Sequence, residues 1–350
     1  MAAKITSLQV AEKAGVSQSA VSRVFTPGAS VSQKTADKVR AAARELGYRP
    51  NVLARAMVKG KSRIIGLVVA YLENFFYPET LELLSNALQE QGYHVLVFMT
   101  KQTAHNIDDV MEEILDYQVD GIVMASVAMS SDISARCQQA GVPVVLFNRG
   151  QDIDGITAVS SDNHAGGRKV AEFLIAGEHQ RIAYIAGWEG ASTQRDREAG
   201  FRAGLAAAGH KLHAYAVGDF NTELARLAAR DLFDKPANQR PDAVFVANDH
   251  MAFAVMDVLR FELNLQVPED VSVIGYDDVP PAAWLAYNLT TMRQRANLMV
   301  AETVDALMDL ISTPDTAKPR RVAIDSPLVV RTSARMPKGW NTKGSTNEGF

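Results

Sequence analysis

The chain has 350 residues, of which 47% are apolar and 22% charged, with one cysteine and a net charge of −4. That length exceeds what one hydrophobic core usually supports, so two or more domains are expected, and the composition excludes disorder, collagen-like repeats and coiled coil for the bulk of the chain. The lone Cys137 excludes a disulfide framework and a CxxC-type zinc site, and the longest uncharged run, the fourteen residues of Val279–Met292, is too short for a transmembrane helix.

The small net charge conceals an asymmetry. Residues 1–63 hold twelve Lys and Arg against Glu12, Asp37 and Glu45, a balance of +9, while the other 287 residues carry 24 basic and 37 acidic groups, or −13. A compact basic module on an acidic body points to a polyanionic partner. The plainer alternative is a basic face that is merely solvated. The segment Met1–Ser7 holds no apolar core, so no signal peptide is expected and the protein is placed in the cytoplasm, at the nucleoid.

Three short helices are expected in the first fifty residues. Thr6-x-x-Gln9 is a capping box with Leu8, Val10 and Ala11 behind it, and Gly15 stops the helix. Ser17 caps a second helix that runs to about Phe25, exposing Gln18, Ser19, Ser22 and Arg23 and burying Ala20, Val21 and Val24. Ser32 caps a third, with the apolar stripe Ala36, Val39, Ala43 and Leu46, ended by Gly47. Two helices joined by a glycine turn and braced by a third form a helix-turn-helix unit, and Gln and Arg can make paired hydrogen bonds to base edges. After Tyr48-Arg49-Pro50-Asn51 about seven residues remain before Gly60. An isolated helix of that length is not stable in water, so Val52, Leu53, Ala56 and Met57 suit packing against a twin from a second subunit.

The run Val10-Ala11 to Gly15-Val16-Ser17 to Val21-Ser22-Arg23-Val24, followed by Gly47-Tyr48-Arg49-Pro50-Asn51, resembles the lac repressor/gal repressor family of bacterial transcription regulators, and the likeness extends over residues 5–335. It implies that Gln18, Ser19, Ser22 and Arg23 read bases, that Thr6, Ser17, Arg49, Asn51 and Arg55 complete the DNA-facing set, and that residues 51–58 form a hinge helix. Where the family usually places a wedging Leu, this chain has Met57, which is also apolar and more flexible.

From Ile64 on, continuous apolar runs alternate with amphipathic segments. Strands are expected over 64–69, 95–99, 121–125, 143–147, 181–186, 243–247 and 271–275, and helices over 79–91, 107–117, 165–175, 196–208 and 250–261. Such alternation means parallel sheets covered on both faces, and seven or more strands indicate two α/β lobes. Ligands bind these sheets at the carboxyl ends of the strands. Ser126, Asn148, Asp162, Asn248-Asp249 and Asp277-Asp278 stand there and suit a small polar ligand.

The family resemblance implies more. Phe76-Tyr77 match a loop that covers the effector, Thr193-x-x-x-Arg197 a segment whose guanidinium forks onto ligand oxygens, and Phe220 an aromatic that stacks on the ligand. Asn248-Asp249 and Asp277-Asp278 supply the remaining polar contacts, beside the strand-end Ser126 and Asn148. A lobe-closing ion pair is the alternative for Arg197, and core packing for Phe76 and Phe220. The likeness also implies chain crossings between lobes near 161–163, 291–294 and 321–323.

The expected architecture is thus an all-α helix-turn-helix module (1–48), a hinge (49–63), a two-lobed periplasmic-binding-protein-like (type I) α/β body (64–336) and a frayed tail (337–350) without heptads, hence a homodimer. The expected partners are pseudo-palindromic double-stranded operator DNA and a small effector such as a sugar or sugar acid.

Enzyme readings fail on motifs. No GxGxxG follows the first strand, and neither GxxxxGK[ST] nor GxSxG occurs. The seven histidines are scattered, so no catalytic group, metal or cofactor is expected. A periplasmic sugar-binding protein shares the two-lobed body, but that reading requires a signal peptide and leaves the basic first 63 residues without a role.

Overall fold

Local punctuation shapes the first helices. In α1 (Ser7–Ala14) the capping box closes in both directions: Gln9 N–H donates to the Thr6 hydroxyl at 3.4 Å, and Thr6 N–H donates to Gln9 Oε1 at 2.9 Å. Gly15 ends it in the left-handed conformation. The Ser17 hydroxyl caps α2 (Gln18–Val24) by accepting from Ala20 N–H at 3.2 Å, and Ser32 does the same for α3 (Gln33–Leu46) through Thr35 N–H. Val10, Ala11, Val21, Val39, Ala42 and Ala43 form their shared core, with Phe25 and Tyr48 packed at its edge.

This computed structural model describes residues 5–26, 28–49, 61–100, 107–127, 131–150 and 155–340. The hinge read at 51–58, with Asn51, Arg55 and Met57, lies outside the described residues. The chain divides into two units, residues 1–62 and 63–350.

The second unit holds two six-stranded sheets. The first is built from β1 (Ile64–Val69), β2 (His94–Met99), β3 (Gly121–Ala125), β4 (Val144–Phe147), β5 (Thr157–Ser161) and β11 (Arg321–Ile324), all parallel, in the order β11-β5-β4-β3-β1-β2. The second is built from β6 (Ile182–Ala186), β7 (Ala214–Val217), β8 (Ala243–Val246), β9 (Ser272–Asp277), β10 (Thr290–Arg293) and β12 (Leu328–Val329), in the order β12-β10-β9-β8-β6-β7, with only β12 antiparallel. In both, the central strands are buried along their length, as two-sided cover by helices requires. The helices are α4 (Phe76–Glu90), α5 (Ile107–Asp116), α6 (Ser131–Gln139), α7 (Asn163–Ala176), α8 (Ser192–Ala207), α9 (Thr222–Phe233), α10 (Asp249–Asp257) and α11 (Ala296–Ser312).

All seven expected strands are present, and β5, β7, β10, β11 and β12 are additional. The first crossing between lobes falls at Asp162, where it was expected. The second lies between Arg293 and Ala296 and the third between Ile324 and Leu328, both later than expected. The reason is that 290–293 and 321–324 are themselves strand residues, and a chain can change lobe only once its ladder ends. Nor does packing stop at Met336: the Trp340 ring meets Phe173 edge-on at 5.0 Å.

Helices α7 and α8 touch backbone to backbone. A Cβ on Gly200 would stand 1.9 Å from the His164 carbonyl oxygen, and one on Gly167 would stand 2.1 Å from that of Arg197. Only glycine fits there, and the close approach brings Asn163 against Arg197. Gly200→Ala is therefore expected to destabilise the second unit by about 1–3 kcal/mol, seen as a lowered urea midpoint at unchanged slope.

Candidate functional site

Two surfaces carry the residues singled out in the sequence, one in each unit. On α2, Gln18, Ser19, Ser22 and Arg23 are exposed, Val21 is buried, and Ala20 and Val24 are half-buried. Gln18 Nε2 donates to the Ser7 hydroxyl at 2.9 Å, which ties its amide to α1. The hydroxyls of Ser17 and Ser19 lie 2.9 Å apart. Among the described residues, the Arg23 side chain has no hydrogen-bond or ion-pair partner. Thr6 and Ser17 use their hydroxyl oxygens as caps and remain exposed, and Arg49 is exposed just beyond α3. This face can donate and accept hydrogen bonds toward an edge-presenting partner, and its neighbourhood is basic.

In the second unit a cleft opens between the carboxyl ends of the two sheets. It is nearly closed here, with a cavity volume of about 10 Å³, and is lined by Tyr71, Asn74, Tyr77, Asn148, Arg149, Thr193, Arg197, Phe220, Asn248 and Asp277. The strand ends that build it are strained. Ser126 (φ 62°), Asn148 (φ 54°), Phe220 (φ 55°) and Asp277 (φ 130°) all adopt positive φ although each carries a Cβ. Such residues cost about 1–3 kcal/mol each and gather where a side chain must be aimed.

Of the nine residues expected to bind a ligand, seven line the cleft: Tyr77, Asn148, Thr193, Arg197, Phe220, Asn248 and Asp277. Phe76 does not. It is buried in the first lobe, stacked on Phe147 at 6.2 Å and edge-on to Tyr77 at 5.5 Å, because as the first residue of α4 it faces the sheet. Ser126 stands behind the wall, its hydroxyl accepting from Arg149 Nη2 at 3.1 Å. Phe220 lies over Gly187, where a Cβ would stand 2.3 Å from its ring. Asn248 Oδ1 caps α10 by accepting from Met251 N–H at 3.0 Å, leaving its amide NH2 for the cleft.

Three other strand-end acids serve the fold. Asp162 caps α7. Asp278 accepts from Arg293 Nε at 2.6 Å and Arg331 Nη2 at 2.7 Å. Asp249 lies buried behind Gly275 and accepts from Thr291 Oγ1 at 2.6 Å and Val279 N–H at 3.1 Å. Burial pushes the Asp249 carboxyl well above the usual carboxylate range, and the charge of Asp277 adds to it.

Arg197 and Asp277 form the polar centre. Arg197 Nε donates to Asn163 Oδ1 at 2.8 Å and Nη1 to the Ala247 carbonyl at 2.6 Å, while Nη2 stands 3.6 Å from Asp277 Oδ1. The guanidinium carbon lies 3.6 Å from the centre of the Tyr276 ring. Burial raises the Asp277 carboxyl, and the Arg197 charge opposes this at a separation too long to reverse it. Asn163, Ala247, Tyr276 and Asp277 all belong to the second lobe, so Arg197 does not close the lobes. Other bonds do: Asn74 Nδ2 to Asp277 Oδ2 at 2.9 Å, Arg149 Nη1 to Thr193 Oγ1 at 2.8 Å and Gly150 N–H to Ser192 Oγ at 2.8 Å. Gln294 adds a hinge strap by donating to Asp277 at 2.7 Å and accepting from Ser161 at 2.9 Å.

Sequence reasoning missed Tyr71, Asn74 and Arg149. Arg149 directly follows Asn148, a strand-end residue that was recognised, so position alone could have found it. An arginine in a loop reads as solvated, yet this one is 3% exposed. Among the described residues no cluster of metal-ligating side chains occurs, and no helix is long and apolar enough to cross a membrane.

Comparison with known proteins matches both units. The lacI family of bacterial regulatory proteins matches residues 8–51, and a periplasmic binding protein-like domain matches residues 156–334. The HTH-type transcriptional regulator CelR of Thermobifida fusca is 34% identical over 334 residues, covering 93% of this chain and 96% of that protein. The ribose operon repressor of Escherichia coli K12 is 33% identical over 335 residues, covering 94% and 99%. Among solved structures, a lac repressor dimer bound to operator and the anti-inducer ONPF superposes with a TM-score of 0.84 at 28% identity, covering 95% of this chain and 99% of that one. A CelR–cellobiose complex superposes with a TM-score of 0.71 at 32% identity, covering 95% and 100%.

Proposed function

The chain belongs to the lacI family of bacterial regulatory proteins, and we propose that it is a cytoplasmic repressor whose grip on operator DNA is set by a small polar effector in the interlobe cleft. One observation carries this reading: a single chain joins an exposed Gln18/Ser22/Arg23 face in a +9 module to a two-lobed cleft lined by hydrogen-bonding side chains. The α2 face enters the major groove, while Thr6, Ser17 and Arg49 hold the backbone and residues 51–58 serve as the hinge.

In the cleft, Phe220 offers a flat apolar face and Asn148, Asn248 and Asp277 offer acceptors and an amide, which suits a polyhydroxylated ring. Relatives named for ribose and sucrose, and a neighbour solved with cellobiose, favour a sugar or a sugar derivative. The second unit leaves Leu285 97% exposed, Phe261 78% and Trp284 56%. These suit a homodimer, which places two reading helices on a pseudo-palindromic site. No enzyme chemistry, metal or cofactor enters the mechanism.

Selection from a randomised duplex library tests the DNA half. Enrichment of a pseudo-palindrome, bound with a steep negative salt slope, is expected. Binding without sequence preference would leave only a sugar-binding protein with a basic appendage.

A further inference from the structure

We infer that the cleft ligand is an acidic sugar, a uronate or aldonate, whose carboxylate docks on Arg149. This rests on the reading of the cleft as the effector site and adds the ligand's charge to it.

Arg149 lines the cleft just after β4 and is 3% exposed. Its side-chain partners are two neutral hydroxyls, those of Thr193 at 2.8 Å and Ser126 at 3.1 Å. Its Nε is buried with no partner, and no carboxylate among the described residues pairs with it. Two of the neighbours that act on it electrostatically, Arg195 and Arg197, are themselves cations. A guanidinium withdrawn from water without a counter-charge is costly, because its hydration is lost and nothing replaces it. Arg197 in the same cleft makes the contrast plain, since each of its three nitrogens has a partner and one of these is the Asp277 carboxylate.

The missing counter-charge at Arg149 is therefore supplied by the ligand. A carboxylate is planar and can accept from Nε–H and one Nη–H together, the geometry a guanidinium offers best. A phosphate dianion would call for a second unneutralised cation in the cleft wall, but Arg197 is already matched by Asp277, and Arg195 is exposed, bonds the Glu189 carbonyl and does not line the cleft. Beside Arg149, the Asn148 Oδ1 atom is also buried without a donor. A hydroxyl next to the carboxylate on the same sugar would satisfy it. Two successive residues of the cleft lining thus each keep one buried polar atom unpaired, a cation's donor and a neutral acceptor, which matches a hydroxy acid.

The test is calorimetric titration of the full chain with D-glucuronate, D-galacturonate and D-gluconate, beside D-glucose, D-galactose, D-glucitol and glucose 6-phosphate. At least one acid is expected to bind tenfold or more tighter than its neutral counterpart, and that preference is expected to fall below threefold in Arg149→Gln. The wild-type ratio stands even if the variant fails to fold. A neutral sugar that binds as tightly as its acid, a preference for the phosphate, no binding by any acid, or a preference that survives in a folded Arg149→Gln protein would each overturn the proposal. Operator selection on the same protein separates the two claims. Specific DNA binding with a neutral-sugar preference removes the carboxylate alone, whereas acid binding without specific DNA binding removes the regulator.

Discussion

Arg197→Ala is expected to lower the folding free energy of the second unit by about 3–5 kcal/mol, read as a drop in urea midpoint. The mutation leaves the Asp277 carboxyl, 4% exposed, without the cation 3.6 Å away, and frees Asn163 Oδ1 and the Ala247 carbonyl in a buried place. The loss should fall on the second lobe, since all these partners lie there. Effector response should vanish as well, because Arg197 lines the cleft. Two roles are then mixed in one number, and a double variant separates them. Arg197→Ala with Asp277→Asn removes both charges, so part of the stability should return, and Asp277→Asn alone sets the ligand affinity below which the double variant should still fall. Recovery of ligand binding together with stability would make Arg197 a purely structural residue.

Arg23→Ala carries the largest effect expected on DNA. Its guanidinium is exposed on α2 and has no partner among the described residues, so it is available for a paired contact to a guanine edge. Removing it should cost about 1–3 kcal/mol at the selected operator and relax preference at one base position. Arg49→Ala, as a backbone contact, should instead weaken all sequences alike and flatten the salt slope by about one unit. Competition titrations with operator and scrambled duplexes at several salt concentrations distinguish the two patterns. Unchanged affinity and preference in Arg23→Ala would take that residue out of base reading.

The helix-turn-helix unit was legible because its signals are local: Thr6, Ser17 and Ser32 cap, Gly15 and Gly47 stop, and each helix buries an apolar position, Val10, Val21 and Val39 in turn. The central strands were legible because two-sided burial writes unbroken apolar runs such as Ile64–Val69. Edge elements were not. β5 reads Thr-Ala-Val-Ser-Ser, polar at three of its five positions, and β7 is only the four residues Ala-Tyr-Ala-Val, half-buried and exposed in turn, too short to stand out as a run. Seven cleft residues followed from strand ends and family likeness together. The lobe-closing partners did not, since Asn74 and Asp277 lie 203 residues apart and only the fold brings them together. Nor does sequence tell Asp249, held behind Gly275, from Asp277 at the wall.

The proposed allostery is a coupling free energy between the α2 surface and the cleft, and such coupling is reciprocal. The most direct measurement is the affinity of the full chain for its selected operator with and without a saturating cleft ligand, beside the affinity for that ligand with and without operator. The two shifts should be equal, and each should lie between about 5-fold and 150-fold. Specific operator binding that does not move when the cleft is filled would contradict the account.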